Sequence, residues 1–197
     1  MPKPPILPQV DWKAVYASGV PFEVWMSEGE SEINRDAMVQ LTYSQPLDPH
    51  VRGLLKAIGR PVHVVAIAED WCGDVVRHVP VLRKFEEVAS RLHVRFVTRE
   101  QHPDVFVRFL TNGGEAIPKF IFLNDQFVEC GNWGPMPASC RLCIARGKAY
   151  GNGKTAREQV NDLYNADPEK REVIAELLAH IDIACTAAPF TSGEVSK

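Results

Sequence analysis

The segment that most restricts the fold runs from Pro61 to Leu92. It opens with PVHVVAIA, a continuous valine-rich apolar run over Pro61–Ala68. A strand reads this way when both of its faces are covered. Beyond Trp71-Cys72, the residues Val75, Val79, Leu82, Phe85, Ala89 and Leu92 recur in steps of three and four. That spacing predicts one apolar face of a helix over Gly73–Leu92. A covered strand that turns directly into an amphipathic helix calls for a parallel partner strand, reached by a right-handed crossover. HVRFVT, His93–Thr98, supplies that partner.

The rest of the chain is arranged around this unit. Upstream, helical patterns occupy Asp11–Ala17, Pro21–Glu28, Ser31–Tyr43 and Asp48–Ile58, with Asp11 and Ser31 as N-caps. Met1–Arg60 reads as a helical extension, because its apolar faces are too small to stand alone. It is led by an extended segment containing Pro2, Pro4, Pro5 and Pro8. Downstream, Pro103–Leu110 is a short helix, LTNGGEAIP a loop, and KFIFL, Lys119–Leu123, a strand. An Asn124-Asp125 turn joins that strand to Gln126–Gly131 as a hairpin. A helical region to about Tyr164, broken near Gly151-Asn152-Gly153, precedes a last helix over Pro168–Ala184 and a polar, flexible tail. Strand, helix, strand and helix followed by a hairpin and helices make an α/β pattern with a mixed sheet.

The charge balance excludes some functions. At net charge −3 the chain has no electrostatic footprint for nucleic acid or an anionic membrane. No segment approaches the roughly 18 apolar residues that span a bilayer. The N-terminal MPKPPILPQVDW lacks the apolar core of a signal peptide. A cytoplasmic location is therefore expected, and with it reduced cysteines unless they are catalytic, sensing or metal-bound. Gly113-Gly114-Glu115 lacks the lysine and preceding strand of a phosphate loop.

Five cysteines are present: Cys72, Cys130, Cys140, Cys143 and Cys185. An odd number at irregular spacing is not a disulfide framework. Cys72 falls where the predicted helix begins. There, unpaired backbone N–H groups and the positive end of the macrodipole favour thiolate over thiol. Cys140 and Cys143 have C-x-x-C spacing at the start of another helix, with Cys130 just upstream. Packing, a regulatory disulfide and three-quarters of a zinc site are all compatible with that spacing; the fourth zinc ligand is missing locally. No metal and no cofactor are expected. Trp133 reads as packing and His78 as solvated surface.

Trp71-Cys72-Gly73, Pro80 eight residues after Cys72, and AIPKFIFL some forty-odd residues on together resemble the thioredoxin superfamily. EDWCGD, LTNGG and IPKFIFL look more specifically like a bacterial thioredoxin-like branch with extra N-terminal helices. The resemblance covers Pro61–Pro135 well and the flanking helices loosely. It implies a thioredoxin-like mixed sheet sandwiched by helices, with extra helices at both ends. It also implies a cis Ile117–Pro118 bond, with Lys119–Leu123 antiparallel to the first strand. Pro118 would then lie beside Cys72, and the Ile117 backbone would dock an extended substrate. Gly73 would permit the sharp turn.

The departures concern the chemistry. The family's second cysteine is Val75 and its intervening proline is Asp74, while a buried aspartate six residues before the nucleophile is here Ala66. Asp74, Glu69 and Asp70 add negative charge that opposes a thiolate. A helix terminus contributes only about 0.3–1 kcal/mol, so a modestly activated thiol is expected. The resulting expectation is single-cysteine thiol–disulfide exchange. Cys72 would be the nucleophile, Trp71, Gly73, Asp74, Ile117 and Pro118 the docking rim, and a protein or low-molecular-weight thiol or disulfide the substrate. A mixed disulfide at Cys72 would need another thiol, such as glutathione, to resolve it. The competing expectation is a non-catalytic module that uses the same groove to bind protein. The domain division expected is a helical extension over 1–60, the thioredoxin-like domain over 61–185 and the tail over 186–197.

Overall fold

The computed structural model describes residues 7–186. Most of the proline-rich lead-in, and all of the predicted tail beyond Thr186, lie outside the described residues. Four helices come first: α1 (Trp12–Ser18), α2 (Phe22–Glu28), α3 (Glu32–Ser44) and α4 (Pro49–Lys56). Asp11 and Ser31 cap α1 and α3 through their side chains, accepting from the N–H of Ala14 and Asn34. Each satisfies one of the donors that a helix start leaves unpaired.

The core follows as β1 (Val62–Ile67), α5 (Gly73–Val88), β2 (Leu92–Val97), α6 (Pro103–Phe106), β3 (Lys119–Leu123) and β4 (Glu129–Trp133). Helices α7 (Ala138–Ala149), α8 (Gly153–Ala166) and α9 (Arg171–Cys185) complete the chain. The sheet order is β2-β1-β3-β4. β1 runs parallel to β2, with Val64 opposite Val94. It runs antiparallel to β3, with Val65 opposite Ile121. Apart from His63, β1 is wholly buried, as its unbroken apolar run requires. Val79, Leu82 and Phe85 of α5 are buried with Phe120 and Phe122 of β3 in the main core. Among the described residues no helix is long and apolar enough to cross a membrane.

Two boundary differences from the sequence reading bear on the sheet. α5 ends at Val88, and Leu92, which fitted the helical spacing, instead opens β2 and pairs with Val62. The chain reverses in a tight turn, with the Leu92 N–H donating to the Ala89 carbonyl. A buried leucine satisfies either periodicity, and the turn decides which one applies. The β3–β4 connection is also longer than the expected two-residue turn. Asn124 N–H donates to the Val128 carbonyl around a loop in which Phe127 has φ 59°, and β4 starts only at Glu129. Phe127 stacks on His63 at 4.4 Å, so ring packing rather than strand pairing places residues 125–128.

Candidate functional site

β1 delivers the chain to the groove and α5 carries it away. Cys72 is the N-cap of α5, with β-region backbone and no side-chain capping bond. Its Sγ lies 3.5 Å from the Ile117 carbonyl oxygen, to which the thiol donates. The Ile117–Pro118 peptide is cis. Cys72 and this loop come together because β3 pairs antiparallel with β1, placing Lys119 opposite Ile67. Gly134, at the end of β4, closes the far side. Its φ is +119°, and a Cβ there would collide with the Pro118 carbonyl oxygen. Only glycine allows so close an approach.

Lys119 braces the same loop, a role its sequence context did not signal. The side chain is buried, and Nζ donates to Thr111 Oγ1 at 2.6 Å and to the Gly134 carbonyl at 2.8 Å. Burial, reinforced by Arg141, lowers its pKa to about 8. A lysine opening an otherwise apolar strand was the only trace of this role in the sequence.

The thiol itself is not activated. Burial raises the Cys72 pKa above its ordinary value, outweighing the lowering effect of the nearby Val75 and Asp74 backbone N–H groups. Asp74 and Glu69 raise it further. The modest activation expected from the helix terminus is therefore overturned by desolvation. Two of the three carboxylates expected to crowd the thiol find a cationic partner. Glu69 pairs with Arg99 at 3.0 Å. Asp70 lies 3.7 Å from Arg35 and accepts from the Ser31 N–H. Arg99 also sits 5.3 Å from the ring of Trp71, which is 49% exposed on the groove's rim. At Gly73 a Cβ would meet nothing within 4 Å and the backbone is not left-handed. The turn expected to require a glycine there does not.

His78 corrects the sequence reading more sharply. Val75 occupies the position of the missing second cysteine and is fully buried, as its place on the apolar face of the predicted helix implies. His78 is not solvated surface: it is 1% exposed, edge-on to Trp133 at 5.2 Å. α5 is covered on this side as well, by Trp133 and Tyr164, so His78 does not meet solvent. Burial holds the His78 pKa well below its usual value, helped by Lys170 and Arg77. Its Nε2 lies 3.2 Å from the Tyr164 hydroxyl, which in turn donates to Asp74 Oδ1 at 3.2 Å. Sequence reasoning missed Tyr164 altogether, since nothing local in α8 distinguishes it from a packing tyrosine.

All five cysteines are free thiols. Cys140 is buried with Met136 and Val160, and burial pushes its pKa up to about 11. Cys143 packs at the margin of the same cluster. Cys130 lies on β4, and its thiol donates to the Val128 carbonyl.

A family model described as thioredoxin matches residues 19–150. No curated protein matches the sequence. Two solved structures superpose on it. One is a Pseudomonas aeruginosa protein of unknown function, at 17% identity and a TM-score of 0.66, covering 88% of this chain and 98% of that one. The other is an HIV epitope scaffold, at 16% identity and a TM-score of 0.65, with the same coverage. At such identities the likeness concerns the fold, a thioredoxin-like mixed sheet flanked by helices.

Proposed function

The chain belongs to the thioredoxin family, and on that premise we propose that it performs single-cysteine thiol–disulfide exchange through Cys72. The observation that carries this reading is the placement of the Cys72 sulfur at the helix start, 3.5 Å from the Ile117 carbonyl beside Pro118. In the exchange, the Cys72 thiolate attacks one sulfur of a substrate disulfide. A Cys72–substrate disulfide forms, the substrate S–S bond breaks, and the other half leaves as a thiol once protonated. A second thiol, from glutathione or a protein, then displaces Cys72 and carries the remaining substrate half away as a new disulfide. Trp71, Gly73, Asp74, Ile117 and Pro118 form the docking rim. The substrate is a protein or a low-molecular-weight thiol or disulfide, handled in the cytoplasm without nucleic acid or membrane. The Trp-Cys-Gly-Asp sequence supports a place in a bacterial branch without the second motif cysteine. Residues 1–60 are a helical extension of the 61–185 domain.

A second reading has its own support. Val75 fills the resolving position and burial raises the Cys72 pKa, both of which suit a non-catalytic module that binds protein in this groove. Capture of mixed-disulfide partners on Cys72, with Cys72→Ser as the control, separates the two. Covalent, reducible partners lost in Cys72→Ser support exchange. Partners retained by Cys72→Ser with no covalent species support the binding module.

A further inference from the structure

Buried charges in proteins are paired as a rule, yet Lys119 has no counter-ion. Its side chain is 4% exposed, and of its three N–H donors two go to neutral oxygens, Thr111 Oγ1 and the Gly134 carbonyl. Among the described residues it forms no salt bridge, and neither does Arg141 on α7. Arg141 is near enough to lower the Lys119 pKa further. The α9 carboxylates at this end of α7 are already engaged. Glu172 accepts from Ser139, and Glu176 from Ala138 and Trp133. Lys119 and Arg141 line one cavity of about 520 Å³, a size suited to a small molecule. Lys119 and Asn132 come from the β3–β4 pair, Arg141 and Leu142 from α7, and Leu110 and Thr111 from the loop ahead of β3. Among the described residues no carboxylate lines it. The loop is held in shape by a tight turn. Thr111 and Gly114 exchange backbone hydrogen bonds of 2.9 Å around Asn112-Gly113, both at positive φ. Lys148, two turns along α7 from Arg141, reaches this turn, with Nζ 3.7 Å from where a Cβ on Gly114 would lie.

We propose that this cavity binds a small organic phosphate, a monoester whose dianionic group sits between Lys119 and Arg141. Lys119 has its third N–H to offer. Arg141 gives one N–H to the Met136 carbonyl and keeps the rest of its planar fork, which suits a tetrahedral oxyanion. Charge decides between oxyanions. A carboxylate neutralises one of the two cations. A phosphate monoester carries about 1.5 to 2 negative charges at neutral pH and three strong acceptor oxygens, enough for both cations and for the Asn132 amide. The organic part has its own surface, since Leu110 and Leu142 both line the cavity and are exposed. An inorganic anion would leave that surface unused. None of Trp71, Cys72, Gly73, Asp74, Ile117 and Pro118 lines this cavity, so the site is additional to the exchange groove.

The test is calorimetric titration of the full chain with phenyl phosphate, inorganic phosphate and benzoate, in a buffer free of phosphate and sulfate. Phenyl phosphate should bind saturably at one site per chain. Inorganic phosphate, without the ring, and benzoate, with less charge, should each bind more weakly by on the order of tenfold. Arg141→Gln should weaken phenyl phosphate by on the order of tenfold to a hundredfold, with a thermal midpoint close to that of the wild type. Lys119→Met should do the same. Should Lys119→Met fail to fold, because Thr111 and Gly134 lose their donor, Arg141→Gln decides alone, its side chain being only half-buried. Absence of saturable phenyl phosphate binding overturns the proposal, and so does binding that Arg141→Gln leaves unchanged. Benzoate binding as tightly as phenyl phosphate overturns the phosphate assignment. Inorganic phosphate binding as tightly overturns the organic ligand and leaves an adventitious ion only. No disulfide takes part, so these outcomes stand apart from the fate of the exchange reading.

Discussion

Cys72 and Cys140 both sit at helix starts, yet the structure gives them different prospects. Cys140 has the C-x-x-C spacing, with Cys143 three residues on, but its thiol is buried with Met136 and Val160 and its pKa is pushed up to about 11. Cys72 has no cysteine partner on its helix. It caps the start of α5, and its thiol donates to the Ile117 carbonyl of the Ile117–Pro118 loop alongside. Spacing marks only that two sulfurs are near one another. Whether a substrate sulfur can reach one of them is decided by the groove, built from distant parts of the chain.

The largest effect should follow from deleting one thiol or the other. Cys72→Ser should abolish formation of a mixed disulfide with a small-molecule disulfide. Cys140→Ser and Cys143→Ser should keep most of the wild-type rate. If the pattern were reversed, the C-x-x-C pair would be the site. A second variant leaves both thiols in place and deforms the groove. Gly134→Ala puts a Cβ onto the Pro118 carbonyl oxygen at φ +119°. It should cost about 2 kcal/mol or more in stability, read from denaturant midpoints. In the fraction that remains folded, Cys72 exchange should slow while labelling of Cys185 on α9 is unchanged.

Val75→Cys gives Cys72 the partner that Cys140 already has. Val75 is fully buried, so the smaller side chain should cost about 0.5–1.5 kcal/mol through lost packing. In return, oxidation should yield an internal bond between residues 72 and 75, seen by peptide mapping without reductant. Turnover with a dithiol reductant should exceed that of the native protein. A folded variant that neither oxidises nor turns over would show that the groove no longer supports family chemistry.

The smallest effect concerns His78, the buried neighbour shared by the two regions. Its folded pKa lies well below its unfolded value, so its contribution is complete above the unfolded pKa and is lost as pH falls. His63 and His180 act in the same direction, while the raised pKa values of Asp74 and Glu129 oppose them. The thermal midpoint should therefore decline as pH drops below about 6.5. His78→Phe should flatten part of that decline. An unchanged slope would mean that His78 is more accessible to protons than its burial implies.

The sheet was legible because strand periodicity and β-branched content are local properties. Val62–Ile67, Leu92–Val97 and Lys119–Leu123 could be read within a residue or so from those patterns alone. The groove was partly legible, through Trp71-Cys72-Gly73 and Ile117-Pro118, because a resemblance supplied their pairing. The surroundings of the thiol were not. That His78 is buried follows from Trp133 of β4 and Tyr164 of α8 lying against it, and a helix's own sequence does not say which neighbours it has. Glu69 and Asp70 looked like charges crowding the thiol because Arg99 and Arg35 lie some 30 and 35 residues away in sequence. Tyr164 had no local mark at all, since its partners Asp74 and His78 are reached only by the fold.

The central claim is that Cys72 is the exchanging thiol and that no other cysteine resolves it. Reduced protein would be mixed with a neutral small-molecule disulfide, quenched in acid and mapped by peptide mass spectrometry. The structure predicts one adduct, on Cys72, that persists until a second thiol is added and then disappears with the substrate half released as a new disulfide. Adduct on Cys130, Cys140, Cys143 or Cys185 ahead of Cys72, or rapid conversion of the Cys72 adduct into an internal disulfide, would contradict it.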